Sequence, residues 1–222
     1  MDTALMLRDP CPPLALALVA LAAVLCFAAT AFSVHGLRPE LAWVDAQMSV
    51  YLVGPWAGML RAGYVALAIG ILTLGIGLYR EPPRPRRSAA PLLMFAIAAA
   101  SLVVTAFAPM RFPDEEQRLV HLVHGTSAQA AFLCATTGMS LQAWRLRQAP
   151  AWRRISPVLL GWALACFTGV WVLALFRNLP RGLSQKALVA AIVLWFGFVA
   201  WRLWREASRR HRTMGETPRI CC

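Results

Sequence analysis

"APMRFPDEEQRLVHLVHGTSAQ", Ala108 to Gln129, sets three consecutive carboxylates and two histidines between two strongly apolar segments. The fold turns on whether these groups build a catalytic or metal site or start a helix at a membrane surface. Pro113 stiffens the approach, Asp114 is a preferred N-cap, and Gln117 stands three residues on, the spacing of a capping box. Glu115 and Glu116 then occupy the first turn, where the positive end of the helix dipole favours negative charge by roughly 0.3–1 kcal/mol each. A helix start accounts for all three carboxylates, so their clustering is no sign of acid–base chemistry.

On either side of this stretch the chain is too apolar for a water-soluble domain. Of 222 residues 59% are hydrophobic and only 14% charged, and the mean hydropathy is positive. A helix crosses a hydrocarbon core with about 20 apolar residues, its backbone polar groups satisfying one another. Six such segments are present: Leu14–Val34, Trp56–Tyr79, Ala89–Phe107, Leu119–Trp144, Ile155–Phe176 and Ala187–Trp204. None alternates with period two, which argues against a barrel. The fourth is polar at one end. The sixth has the shortest uninterrupted run, with Arg202 placed to snorkel to the interface.

The arginines orient the segments. Clusters follow the second (Arg80, Arg84, Arg86, Arg87), the fourth (Arg145, Arg147, Arg153, Arg154) and the sixth (Arg202, Arg205, Arg209, Arg210, Arg212, Arg219), and Arg8 joins them. The other side holds Arg38, Arg61, Arg111, Arg118, Arg177, Arg181 and Lys186. By the positive-inside rule the richer side is cytoplasmic. The expected architecture is therefore an all-α polytopic membrane protein: a cytoplasmic segment 1–13, a six-helix transmembrane domain 14–204 and a basic tail 205–222, both termini inside. Because the excess charge of +12 sits in short loops and a tail beside helix ends, anionic membrane lipid is the expected partner and nucleic acid is not.

Ala29-Thr30-Ala31 resembles a signal-peptide cleavage site, but the apolar run before it exceeds the usual length of about 7–15 residues, so a retained helix is expected. Cys26, Cys134 and Cys166 fall inside segments and Cys11, Cys221 and Cys222 on the cytoplasmic side, which implies no disulfide framework. "REPPRPRR", Arg80 to Arg87, reads as a stiff connector, and "RNLPRG", Arg177 to Gly182, as a tight turn joining antiparallel helices. The longer stretch His35 to Trp56 reads as an interfacial excursion, with Trp43, Tyr51 and Trp56 at headgroup level. Gly63, Gly70, Gly75 and Gly77 mark the second segment for close, central packing.

At about 100° per residue, Gln117, His121, His124, Ala128, Ala131, Ala135, Gly138 and Gln142 share one stripe of the fourth helix. Small residues below the histidines point that stripe at other helices. His124, about 15 Å along the helix from Asp114, sits at the outer membrane boundary inside the bundle. Two histidines at i and i+3 can bind one metal, and His35 lies at comparable depth. Completing the set would require ligands such as Glu40, Asp45 or Asp114, because Gln129 is turned about 140° from His124. Interfacial histidines that only hydrogen-bond are the simpler reading. The chain has no Gly-x-Ser-x-Gly, His-Glu-x-x-His, phosphate-cradling glycine loop or Cys-x-x-Cys. Ser127 lacks the rest of a triad. No charged residue falls at mid-membrane to mark an ion path.

Three ordered stretches carry a family resemblance: "MSVYLVGPWAGMLRAGYVALAIGIL" (Met48 to Leu72), "FPDEEQRLVHLVHG" (Phe112 to Gly125) and "GLSQKALVAAIVLWFGFVAWRL" (Gly182 to Leu203). Together they resemble a bacterial and archaeal six-helix membrane family catalogued as domain of unknown function nine-nine-eight. The positions that match are Ser49, Gly54 and Trp56; Phe112, Pro113, Asp114, His124 and Gly125; and Gly182, Leu183 and Lys186. Members often carry a second histidine a turn after the glycine of the fourth helix, where this chain has Ala128 and Gln129. The resemblance implies a six-helix domain of no established activity in the bacterial cytoplasmic membrane.

The matched segments gather at one side of the membrane, which makes an outward-facing polar vestibule the expected functional location. Its candidate residues are Asp114, His121, His124, Arg177 and Lys186, and its expected occupant is a lipid, a small amphiphile or a partner protein, a second copy of the chain included. The competing expectation is a membrane enzyme or redox protein using His35, His121 and His124 around a metal or haem. No catalytic residue or cofactor is assigned by the sequence.

Overall fold

Lipid offers backbone groups no hydrogen bonds, so a spanning segment must satisfy its own. The computed structural model describes residues 13–81, 87–108, 118–176 and 178–215. Asp114, Glu115, Glu116 and Arg177 lie outside them, as does most of the Pro-Arg connector. Within the described residues the chain forms six α-helices and no strand: α1 (Pro13–Leu37), α2 (Ala57–Tyr79), α3 (Ala90–Phe107), α4 (Arg118–Leu146), α5 (Ser156–Leu175) and α6 (Arg181–Gly215), with one 3-10 helix, Met48–Leu52. Proline stands in the first turn of α3 and of α5, where its missing N–H costs nothing.

Five of these helices are long and apolar enough to cross a membrane: Leu14–Leu37, Ala57–Tyr79, Ala90–Phe107, Ser156–Leu175 and Arg181–Arg212. The helix that falls short in apolarity is α4, not the sixth, so composition ranks these two in the opposite order to the sequence expectation. Yet α4 is no appendage. It packs between α3 and α5 along the bundle. The protein is a polytopic helical membrane protein.

Each helix packs against the next in sequence, and α6 closes back onto α1, so the six make a ring. Its outside is apolar: Phe32, Leu119, Leu175 and Val158 are among the most exposed side chains, as expected where lipid is the solvent. Its seams are tight because α2 has glycines where neighbours arrive. A Cβ on Gly70 would lie 2.8 Å from Cβ of Ala23 on α1, one on Gly75 3.0 Å from the Phe95 ring on α3, and one on Gly77 2.7 Å from Leu203 on α6. Small residues thus let α2 approach three helices at once.

One end of the ring is filled and tied. Phe95 and Phe196 meet edge to face at 5.5 Å, Trp195 and Phe196 at 5.4 Å, and Trp195 donates its indole N–H to the Leu159 carbonyl at 3.1 Å. Beyond this layer Glu81, its side chain 3% exposed, accepts the Trp152 indole N–H at 2.9 Å and a two-pronged Arg210 guanidinium at 2.9 and 3.2 Å. Arg202 donates to the Ala151 carbonyl at 3.0 Å. These bonds explain why α6 continues as helix well past Trp204, where the sequence places the start of a tail.

The other end is closed by a lid, residues 38–56. Gly54 at φ 83° and Trp56 at φ 65° turn the chain into α2, and Arg38 holds that turn by donating to the Val53 carbonyl at 2.8 Å. Arg38 also donates to Glu40 and holds its carboxyl below the usual carboxylate range. Tyr51 does not sit among headgroups. It is wholly buried beneath the lid, where desolvation raises its phenol, while Trp43 and Trp56 are exposed as expected. The burial follows from the 3-10 turn, which rolls Met48, Ser49, Tyr51 and Leu52 inward together.

Candidate functional site

Between the lid and the aromatic layer the ring is hollow. A cavity of about 80 Å³ lies there, lined by five of the six helices and the lid; α5 takes no part. Its wall is built mainly of small and aliphatic side chains. Ala98 and Leu102 come from α3, Ala128, Ala131 and Ala135 from α4, Val189 and Ile192 from α6. The inward stripe of α4 makes the space: alanine leaves a gap where a leucine would meet α2 and α6. Lower on the same stripe Gly138 admits the Phe95 ring, within 2.7 Å of where its Cβ would stand, and the hollow ends.

Polar groups gather at the lid end of the cavity. His124 is 3% exposed, and because a carbonyl can only accept, its Nδ1–H donates to Ala108 at 2.6 Å. That bond ties α4 to the end of α3, and the Thr105 carbonyl is a second backbone partner of the ring. Thr105 and Ser127 hydroxyls share a hydrogen bond of 2.9 Å. Their further bonds run to the helix backbone, from Thr105 to Ser101 at 2.8 Å and from Ser127 to His124 at 3.1 Å. Ser127 is therefore a bridge between α3 and α4. Ser49 of the lid and Gln185 of α6 complete the polar rim.

Of the candidate residues, Asp114 and Arg177 lie outside the described residues, and the other three do not all meet at this cavity. His124 lines it, and His121 lies one turn nearer the start of α4, half-buried. Lys186 instead lines a groove on the far side of the lid, between α1 and α6, with His35 and Trp43. Its ammonium donates to the Trp43 carbonyl at 2.6 Å and lies 5.1 Å from the Tyr51 ring centre, so it clasps the lid. The His35 ring lies tilted at 41° against Tyr51, centres 4.6 Å apart, and bonds the Ala31 carbonyl of its own helix through Nδ1. Among the described residues no three of His, Cys, Asp and Glu come together around one point.

Gly182 and Gln185 fix the lid on α6. A Cβ on Gly182 would stand 2.5–2.7 Å from backbone atoms of Val44, Asp45 and Ala46, and the Leu183 N–H donates to the Val44 carbonyl at 2.7 Å. The Gln185 side-chain oxygen accepts the Met48 N–H at 3.0 Å. Gln185 also belongs to a second space, a cleft of about 400 Å³ between α4, α5 and α6 whose wall includes Gln47, Gln129 and Arg181. Sequence reasoning counted Arg181 only for topology and set Gln129 aside as turned from His124. The overlooked signal was spacing: Arg181, Gln185, Leu188 and Ile192 fall at i, i+4, i+7 and i+11, an inward helical stripe that is polar only at its head.

No curated protein and no solved structure matches the chain. A family model described as "Protein of unknown function (DUF998)" matches residues 20–202, from the body of α1 to Arg202 in α6, and so takes in the lid, the cavity and every helix of the ring. The chain belongs to that family.

Proposed function

We propose that the protein binds a lipid or small amphiphile, without transforming it, in the hollow between lid and aromatic layer. The observation that carries this reading is the lining of the cavity, whose volume of about 80 Å³ takes the end of an apolar chain and not a whole lipid. Its long wall is apolar and its lid end holds His124, Thr105, Ser49 and Gln185, a polarity gradient that matches an amphiphile and suits neither an ion nor a polar metabolite. His124, tied to Ala108 through Nδ1, stands among these polar groups at the lid end, where a ligand's polar head would meet them. By the arginine count the lid faces outward from a bacterial cytoplasmic membrane, and the occupant enters from the outer leaflet.

The test is mass spectrometry of organic extracts from protein purified in a mild detergent, set beside Ala131→Phe, which fills the cavity. Wild-type protein should carry near-stoichiometric amphiphile, and the variant should carry much less while melting no lower. Equal content in the two would refute the reading. A Soret band or stoichiometric zinc in the wild type would favour the rival, a histidine-based redox or metal enzyme.

A further inference from the structure

The cleft between α4, α5 and α6 adjoins the cavity: Phe132 and Gln185 line both. Its polar members are one guanidinium, Arg181, and three carboxamides, Gln47, Gln129 and Gln185. Arg181 and Gln185 stand one turn apart on α6, Gln129 comes from α4 and Gln47 from the lid. Gln185 spends its oxygen on the Met48 N–H, so only its two N–H donors remain to offer. Among the described residues no carboxylate pairs with Arg181. Leu173 and Leu188 form an apolar floor. The cleft is thus rich in donors and carries one positive charge.

We infer that this cleft seats the phosphate-bearing headgroup of a membrane lipid whose chain passes Phe132 into the ring. The inference rests on the reading of the cavity as an amphiphile site and adds the ligand's chemical class. A guanidinium fork binds oxyanions in two-pronged fashion. Four side chains from three elements converging on one group suit the several oxygens of a phosphate better than the two of a carboxylate. The anion is held by Arg181, not by Lys186, whose ammonium is engaged with Trp43 across the lid.

Thermal stabilisation of the full chain in neutral detergent tests it, with four probes: phosphatidylglycerol, diacylglycerol of the same chains, oleate and inorganic phosphate. Wild-type protein should respond best to phosphatidylglycerol. Loss of a charge-assisted bidentate contact in Arg181→Gln should weaken that response about tenfold or more and leave diacylglycerol untouched; Arg181→Lys should fall between. Ligand-free melting and size-exclusion profiles equal to wild type establish that the variants fold, and Gln129→Leu gives an independent loss of donors should Arg181 variants not fold. Unchanged phosphatidylglycerol affinity in Arg181→Gln or Gln129→Leu, a preference for oleate, or equal protection by phosphate alone overturns the headgroup seat. Ala131→Phe separates the two readings: if it alters the response to neither lipid, the cavity is not the chain's place, whatever Arg181 does.

Discussion

Adding one methyl group at Gly182 should unseat the lid. The three backbone atoms at 2.5–2.7 Å from the new Cβ belong to Val44, Asp45 and Ala46, and none can rotate away as a side chain would. Ordinary contact needs about 3.5–4 Å between such atoms, so lid and helix must part by roughly 1 Å. Overpacking of this kind costs about 1–3 kcal/mol. The same displacement stretches the 2.7 Å bond from Leu183 to Val44 and the 3.0 Å bond from Met48 to Gln185, each worth about 1 kcal/mol. Alanine returns about 0.5–1 kcal/mol through its helix propensity, leaving a net loss of about 2–4.5 kcal/mol and a fall in Tm of roughly 4–18 °C. Gly161→Ala is the control, since a Cβ there meets nothing within 4 Å and should melt at or slightly above wild type. A second readout is thiol labelling of Ser49→Cys, in a background stripped of native cysteines. Ser49 is 7% exposed, and its labelling should accelerate when Gly182→Ala is added. If Gly182→Ala melts with Gly161→Ala and Ser49→Cys stays protected, the lid is not held on α6 as described.

Three further outcomes follow from the same geometry. Gly70→Leu drives side-chain bulk into Ala23 and Ala20 and should lower stability by at least the roughly 1–3 kcal/mol of an overpacked contact, read as a fall in monodisperse yield on heating; Gly125→Ala, with open space around it, should not. Glu81→Ala removes the carboxylate that the Trp152 indole and Arg210 both meet; because Arg210 is about half exposed, 46%, the loss should be about 2–3 kcal/mol, below that of a fully buried pair. Glu81→Gln, which can still accept from Trp152, should lose less, and equal melting of the two would refute the indole's share. On topology, a membrane-impermeant maleimide added to intact cells should label Ala42→Cys in the lid and spare Ser88→Cys before α3; the reverse pattern would invert the orientation drawn from the arginines.

The helices were legible because lipid makes the rule simple: a long apolar run must be helical, and prolines and arginines mark where it stops. Packing partners were half legible. The glycines of α2 announced close approach without saying to what, and the structure answers with α1, α3 and α6 in turn. The lid was the least legible part, because its burial depends on bonds between residues far apart in sequence, Lys186 to Trp43 and Gln185 to Met48, which no local pattern encodes. That is why Tyr51 reads as an interfacial aromatic and is in fact core, and why no local pattern shows that the Lys186 ammonium reaches the Trp43 carbonyl. That the helix of α6 runs on into the basic stretch after Trp204 was not legible for the same reason: Glu81, just past the end of α2, is buried against Arg210.

The apolar shortfall of α4 is the strongest internal argument for a ligand. A helix that faces lipid all round gains nothing from serine, threonine, histidine or glutamine, and each such residue must find a partner or a polar space. Thr126 and Thr136 solve this locally by bonding carbonyls one turn back, at 2.7 and 2.8 Å. His124 and Ser127 solve it across the α3 seam. Gln129 is not accounted for by either means, and it lies where α4 meets the cleft that also holds Arg181, Gln185 and Gln47. The alanines between these polar positions are equally uneconomical for packing alone, since larger residues there would close the cavity and strengthen the ring by about 0.8 kcal/mol for each further buried methylene. The small residues of α4 thus line the cavity, while exposed Gln129, turned away from His124, faces the separate cleft; under the proposed reading, an amphiphile with an oxyanion head would meet both spaces.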